Sequence, residues 1–181
     1  MPSSVDKLAL FIDGASLHAA SKTLGFEIDF KRLLNEYESR SNLVRAYYYT
    51  VMIEDRESSS IKPLIDWLDY NGFEVVSKQA KEFDDGEGRR KIKRSMSVEI
   101  AVDALELSNH VDHIVLFSGD GDFRPLVEAV QRRGVHVTVV SPLSMISDEL
   151  RRQADVFIDL LELKSSIERD PSQHLPPRRS R

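Results

Sequence analysis

The sequence predicts an α/β fold, a three-layer sandwich around a mainly parallel central sheet. Two observations carry that reading: apolar runs of strand length alternate with amphipathic stretches of helix length, and the runs are continuously apolar, as strands covered on both faces must be. In chain order, "KLALFID" (7–13) is a strand, "DFKRLLNEYESR" (29–40) a helix with Phe30, Leu33, Leu34 and Tyr37 on one face, and "LVRAYYYTVM" (43–52) a second strand. "SSSIKPLIDWLDYNG" (58–72) has serines for a cap, Pro63 near its first turn, Ile61, Leu64, Ile65 and Leu68 at helical spacing, and Gly72 as a stop. "FEVVSKQ" (73–79) is the third strand. "AKEFDDGEGRRKIKRS" (80–95) breaks both periodicities and reads as an exposed loop. "SVEIAVDALELSNH" (97–110) is a helix, "HIVLFSG" (113–119) a strand, "FRPLVEAVQRRG" (123–134) a helix, "VHVTVVS" (135–141) a strand, 146–154 a short helix and "VFIDL" (156–160) a last strand. No internal repeat is visible.

Composition narrows the class. The 181 residues suit one domain, residues 1–164, long enough to bury roughly two-thirds of the unfolded surface. The remainder, 165–181, is predicted to be a disordered basic tail with prolines and arginines. The formal charge is −5, and because that tail carries four arginines against Glu168 and Asp170, the body is more acidic still, at −7. An acidic body does not attract polyanions unaided, so a nucleic-acid partner would require a metal or local basic patches. There is no cysteine, hence no disulfide or thiol chemistry. The apolar run Leu8 to Ile12 is too short for a signal core or a membrane span, and a soluble cytoplasmic protein without a membrane partner is expected.

Two acidic stretches fall just after predicted strands: Asp13 after "LALFI", and Asp120 with Asp122 in "SGDGDF". In open parallel sheets ligands bind beyond the carboxyl ends of the strands, so these groups are expected to face one crevice. Close carboxylates repel unless a cation or proton offsets them, and an oxygen-only cluster suits Mg²⁺ or Mn²⁺. Taken singly, each motif has a plainer reading, with Asp122 as the cap of the helix from Phe123 and Asp-Gly as an ordinary turn. Other motifs fail on the letters. A calcium loop from Asp120 would need Gly and Glu where Pro125 and Gln131 stand, and a dinucleotide fingerprint from Gly119 meets Arg124 at its third glycine. There is no GKS or GKT loop, no Gly-x-Ser-x-Gly elbow and no clustering of the five histidines.

"LFIDGAS", "SVEIAVDALEL", "VLFSGDGDFRPLVEAVQRRGVHVTVVS" and "ELRRQADVFIDL" together resemble the bacterial LabA-like branch of the NYN domains, relatives of PIN nucleases, over about residues 6–162. The resemblance implies a Rossmann-like, PIN-like sheet with an acidic pocket that binds Mg²⁺ or Mn²⁺ and hydrolyses RNA phosphodiesters. It matches Asp13, Asp120 and Asp122 to metal-binding and catalytic positions, and Asp103 in "AVDAL" to a further catalytic one. Two departures stand out. Ser16 takes the place of an asparagine, and in "KRSMS" Lys93 is kept while Arg94 replaces a glycine and Ser97 an aspartate. With Ser97 bringing no charge, Glu99 and Asp103, one helical turn apart, would have to compensate. Ser16, Ser97, Glu99 and Ser118 are expected to line the pocket. Arg89, Arg90, Lys91, Lys93 and Arg94 are expected to hold RNA, single-stranded because a narrow pocket admits a flexible strand more readily than a duplex. Of Tyr47, Tyr48 and Tyr49 at least one is expected in the core, and Trp67 is expected to pack with Leu64 and Leu68.

Three function classes follow: a metal-dependent ribonuclease, weakened by Ser97 and Ser16; a catalytically poor RNA-binding or regulatory module; and an Asp-x-Asp phosphatase, for which "DGDFR" lacks the usual Thr or Ser. Homo-oligomerisation is left open.

Overall fold

A computed structural model describes residues 6–53, 58–93 and 95–172. Its centre is a six-stranded, wholly parallel sheet built from β1 (Lys7–Asp13), β2 (Asn42–Met52), β3 (Glu74–Gln79), β6 (His113–Phe117), β7 (His136–Ser141) and β8 (Val156–Asp159), in the order β3-β2-β1-β6-β7-β8. Two short strands, β4 (Lys81–Asp84) and β5 (Arg90–Lys93), form a separate antiparallel pair. Leaving that pair aside, the chain winds outward from β1 to one edge and then from β6 to the other, so the order reverses between β1 and β6.

The alternation along β1 explains the layers. Leu8, Leu10 and Ile12 point to one face, where α1 (Gly14–Leu24), α2 (Phe30–Glu38), α3 (Ser58–Tyr70) and α7 (Lys164–Ile167) supply Leu17, Leu33, Leu68 and Ile167. Ala9 and Phe11 point to the other, where α4 (Ser97–Leu107), α5 (Arg124–Gln131) and α6 (Asp148–Gln153) supply Ile100, Val127 and Leu150. Leu10 and Phe11 are both fully buried, and truncating either to alanine would cost about 2–5 kcal/mol. Helix starts are set by local chemistry: the Asp29 carboxylate accepts the Lys31 and Arg32 amides at 3.0 and 3.1 Å, and Ser147 Oγ accepts the Leu150 amide at 3.2 Å. Helix α1 ends at Gly25, whose φ of 72° favours glycine.

Two expectations are corrected, the loop at 80–95 and the boundary at 164, and one helix is added. The "loop" 80–95 contains the β4–β5 hairpin. Its strands hide no apolar face, which is why periodicity missed them, and the turn closes because Asp84 Oδ1 accepts the Gly86 and Gly88 amides while Asp85 Oδ1 accepts those of Glu87 and Arg89. Helix α1 was not anticipated, since Leu17, Ala20 and Leu24 have helical spacing but the alanines around them give little apolar contrast. The folded part runs past residue 164: Ile167 is fully buried, Ile28 bridges to Glu168, and Arg32 donates to the Ser165 and Glu168 carbonyls at 2.9 and 2.7 Å. Residues 173–181 of the expected tail lie outside the described residues. Trp67 is 38% exposed, while Leu68 beside it is fully buried. Tyr48 and Tyr49 are core residues as expected, and Tyr47 stacks on Phe11 at 5.1 Å. Among the described residues no helix is long and apolar enough to cross a membrane.

Candidate active site at the reversal of the sheet

Strands β1 and β6 lie side by side, with Ile12 opposite Phe117, so Asp13 and Ser118 leave the sheet as neighbours at its carboxyl edge. Two glycines let the chain turn there without displacing its surroundings. A Cβ on Gly14 would lie 2.6 Å from the Tyr49 carbonyl and 2.8 Å from the Tyr48 ring, and one on Gly119 would collide with the Met145 carbonyl.

Asp13 and Asp120 stand on either side of this junction, and of the two Asp120 lines the adjoining cleft. Asp13 is half-buried, and Ser16 Oγ donates to its Oδ2 at 2.8 Å. Burial pushes the Asp13 carboxyl above the ordinary range, the hydrogen bonds from Ser16 and the Ala15 amide oppose that rise, and the nearby Asp120 charge adds to it. Asp120 is exposed. Its Oδ1 accepts the Asp122 amide at 2.9 Å, and its own amide donates to Ser118 Oγ at 3.2 Å. Thus Asp120, and not Asp122, caps the 3₁₀ turn Gly121–Phe123 that leads into α5. Ser16 and Ser118 hydroxyls lie 3.4 Å apart. Beside them opens a cleft of about 110 Å³ whose lining includes Ser16, Ser118 and Asp120 together with Phe117, Ser141 and Met145.

The other expected site residues are placed less directly. Asp103 does not line the cleft; the Tyr49 hydroxyl donates to its Oδ2 at 2.8 Å, and the backbone of Tyr49 pairs with Asp13 in the sheet. Burial and that hydrogen bond push the Tyr49 phenol far up, which keeps it a donor. Ser97 and Glu99, expected in the lining, are outside it: Ser97 Oγ is 2.8 Å from Ser95 Oγ, and Glu99 forms an ion pair with Lys78 at 2.8 Å. Asp122 is exposed. Arg90 pairs with Glu82 at 3.5 Å, Lys91 with Asp85 at 3.6 Å and Arg89 with Glu87 at 3.9 Å, Lys93 ends β5, and Arg94 lies outside the described residues. The contributions of Ser141 and Met145 went unforeseen; the available signal was "SPLSM" directly after a buried strand.

Among the described residues no three or more His, Asp or Glu side chains gather closely enough to hold a metal ion, so the expected trio is not drawn into a protein-only cage. Nor does any described lysine, arginine or histidine form an ion pair with Asp13, Asp103, Asp120 or Asp122. An uncompensated pair, Asp13 and Asp120, remains. Two carboxylates fit Mg²⁺ or Mn²⁺, which bind through one or two carboxylates and complete their shell with water and substrate phosphate.

A parallel three-layer domain with acidic groups at its strand reversal is the PIN-like arrangement of the Rossmann-like folds. The chain belongs to the NYN domain family, which it matches over residues 7–162, and to the LabA-like branch of it. It is 38% identical over 167 residues to the low amplitude and bright protein LabA of Synechococcus elongatus, covering 90% of this chain and 88% of that one. The crystal structure of a protein of unknown function from Vibrio parahaemolyticus shares the fold with a TM-score of 0.72 at 27% identity, over 88% of this chain and 96% of the other. NYN domains belong to the PIN-like nuclease superfamily, which supports a hydrolase of the nuclease type.

Proposed function

We propose that the protein is a divalent-metal-dependent ribonuclease acting on single-stranded RNA. The observation that supports this most is that Asp13 and Asp120 lie close enough for the charge of one to raise the pKa of the other, with no ion pair to either among the described side chains, in a chain of nuclease-family fold. Asp13 and Asp120 would hold the ion, Asp122 would add an outer carboxylate through its waters, and Asp103, fixed by Tyr49, would complete the acidic set. Mg²⁺ or Mn²⁺ bound there supplies Lewis-acid activation of water and offsets charge on the phosphate. The chain's own residues do the rest. Ser16 orients the Asp13 carboxylate by its hydrogen bond, the Asp122 amide fixes Asp120, and Ser118, which accepts the Asp120 amide and lies 3.4 Å from Ser16 Oγ, joins the two sides of the site.

A second reading, an RNA-binding module that cuts poorly, draws on one specific feature: two rather than three carboxylates converge, and the position of a family aspartate holds Ser97, outside the cleft. Incubating labelled single-stranded RNA with the purified protein, with and without Mn²⁺ and beside Asp120→Asn, separates the two. Manganese-dependent cleavage absent from the variant supports the nuclease. Binding without cleavage selects the second reading, and cleavage that persists in the variant marks a contaminant.

A further inference from the structure

We propose that one face of the β4–β5 hairpin is a stacking platform for single-stranded RNA, with a base on Phe83 and neighbouring phosphates against Lys81 and Lys91. The identity of the ligand rests on the reading above. The placement rests on the hairpin itself.

Its register pairs Lys81 with Lys93, Glu82 with Ile92, Phe83 with Lys91 and Asp84 with Arg90. Cross-strand partners share a face and successive residues alternate, so Lys81, Phe83 and Lys91 fall together on one side, with Glu82, Asp84 and Arg90 on the other. What reads in the sequence as a mixture of charges is therefore sorted in space. Glu82 and Asp84 lie opposite Phe83, with Arg90 drawn to Glu82 at 3.5 Å, while on the side of the ring Lys91 pairs with Asp85 at 3.6 Å.

Phe83 is 48% exposed. It sits in a two-stranded sheet that does not join the main one, so it is not a strand residue pressed into the core. A phenyl ring left half-exposed on the same side as lysines forgoes part of the stabilisation that full burial would supply. Such a ring offers a stacking surface to any nucleobase, and lysines on either side suit the backbone that joins successive bases. In the ion pair of Lys91 with Asp85 the aspartate side chain is largely covered and the lysine is the exposed member, so its ammonium remains open to a phosphate on the solvent side.

The platform also stands at the correct edge of the molecule. Strand β3 runs parallel to β2 and β1 and ends at Gln79, on the edge where β1 ends at Asp13. The hairpin starts two residues later and returns to α4, whose first turn is tied back to β3 by Lys78 and Glu99. Both of its stems thus rise from the edge that carries Asp13 and Asp120. The turn is held within the hairpin, by the Asp84 and Asp85 side chains and by the Asp85 amide donating to the Arg89 carbonyl at 3.2 Å, so the face is formed before RNA arrives.

The test uses the full chain without divalent metal, so that cleavage does not enter, and compares a short fluorescent oligo(U) with an abasic ribose-phosphate chain of equal length. Phe83→Ala should bind oligo(U) about tenfold more weakly, bind the abasic chain as the parent does, and keep the parent's salt dependence. Phe83→Trp should restore binding. Lys81→Ala should weaken both ligands and lower the slope of log affinity against log salt by about 0.7. Unchanged oligo(U) binding by Phe83→Ala overturns the proposal, as does equal loss for both ligands. Parent-specific binding to anionic vesicles, with no effect of Phe83→Ala on oligo(U), assigns the face to membrane and overturns it likewise. Phe83-dependent binding with no Mn²⁺-dependent cleavage would remove the nuclease reading and leave the platform standing.

Discussion

At the amino edge of the sheet, polar side chains are matched to partners. Asp112 Oδ2 accepts the Lys7 amide at 2.9 Å, Asp155 Oδ2 accepts the Val137 amide at 2.8 Å and stands 3.9 Å from His136 Nδ1, and His113 Nε2 lies 2.8 Å from Thr138 Oγ1. At the carboxyl edge, the charge of Asp120 raises the Asp13 pKa, and among the described side chains neither carboxylate has an ion-pair partner. The same residue type serves structure at one end of the strands and is held at a cost at the other. Local rules of charge matching are broken where a ligand would mend them, and kept where nothing else will.

The sharpest way to break this contrast is to remove one charge from each edge. Asp120→Asn should reduce RNA cleavage on the order of a hundredfold or more, since even an outer partner of a metal ligand is worth 10–100-fold. The asparagine oxygen can still cap the Asp122 amide and a like charge beside Asp13 is gone, so without metal the variant should melt no lower than the parent, and higher by about a degree or more. A variant that melts several degrees lower would make Asp120 a structural residue. Asp155→Ala at the amino edge should behave in reverse. Stripping the Val137 amide of its acceptor costs about 1–3 kcal/mol, a fall of roughly 3–10 °C in a domain of this size, with cleavage per folded molecule unchanged.

The edges should also titrate in opposite senses. The Asp13 carboxyl lies above its ordinary 3.8, so between that value and its raised one the folded state holds the extra proton, and apo stability falls as pH rises through the window. His113 is held below its ordinary 6.5 by burial and by His136, against the pull of Asp6 and Asp155. There the unfolded state binds the proton first, so stability is lost as pH falls from about 6.5 toward the lowered value. Thermal melts across pH 3–8 without metal should show both slopes. Asp120→Asn should flatten the acid one, and a carboxyl NMR titration should find Asp13 lower in that variant.

The smallest effect is expected from restoring the family residues by Arg94→Gly with Ser97→Asp. Ser97 bonds to Ser95 and lies outside the cleft, so cleavage should rise by no more than about tenfold, equivalent to about 1.4 kcal/mol of barrier. A larger gain would show that the α4 terminus reaches the ion, and the carboxyl edge would then be an acidic trio rather than a pair.

Which parts of this arrangement could be read from the letters follows from how far each signal travels along the chain. β1, β6 and β7 are continuous apolar runs because both of their faces are covered, and the ends of β1 and β6, which carry Asp13 and lead to Asp120, could be placed at one edge of the sheet. Helix α1 escaped because Ala15, Ala19 and Ala20 hide an amphipathic face, and the hairpin because its residues meet solvent on both sides. The Tyr49 to Asp103 bond joins residues 54 positions apart on a strand and a helix, and no periodicity within either element announces it. Likewise, the basic run 89–94 looked like a free patch until the hairpin register paired part of it with Glu82, Asp85 and Glu87.

The clasp of Arg32 on the Ser165 and Glu168 carbonyls, with Ile167 buried beside α2, has a consequence for biosynthesis. All the acidic groups of the site have been synthesised by residue 122, yet the layer of helices over α1 and α2 is not closed until residues 165–168 have emerged. Strand β1 must wait about a hundred residues for its partner β6. A nascent chain stalled anywhere in that interval leaves β1 with an unpaired strand edge and Phe11 without the helices α4, α5 and α6 that cover it, an aggregation hazard that ends only when the second half of the sheet has been made.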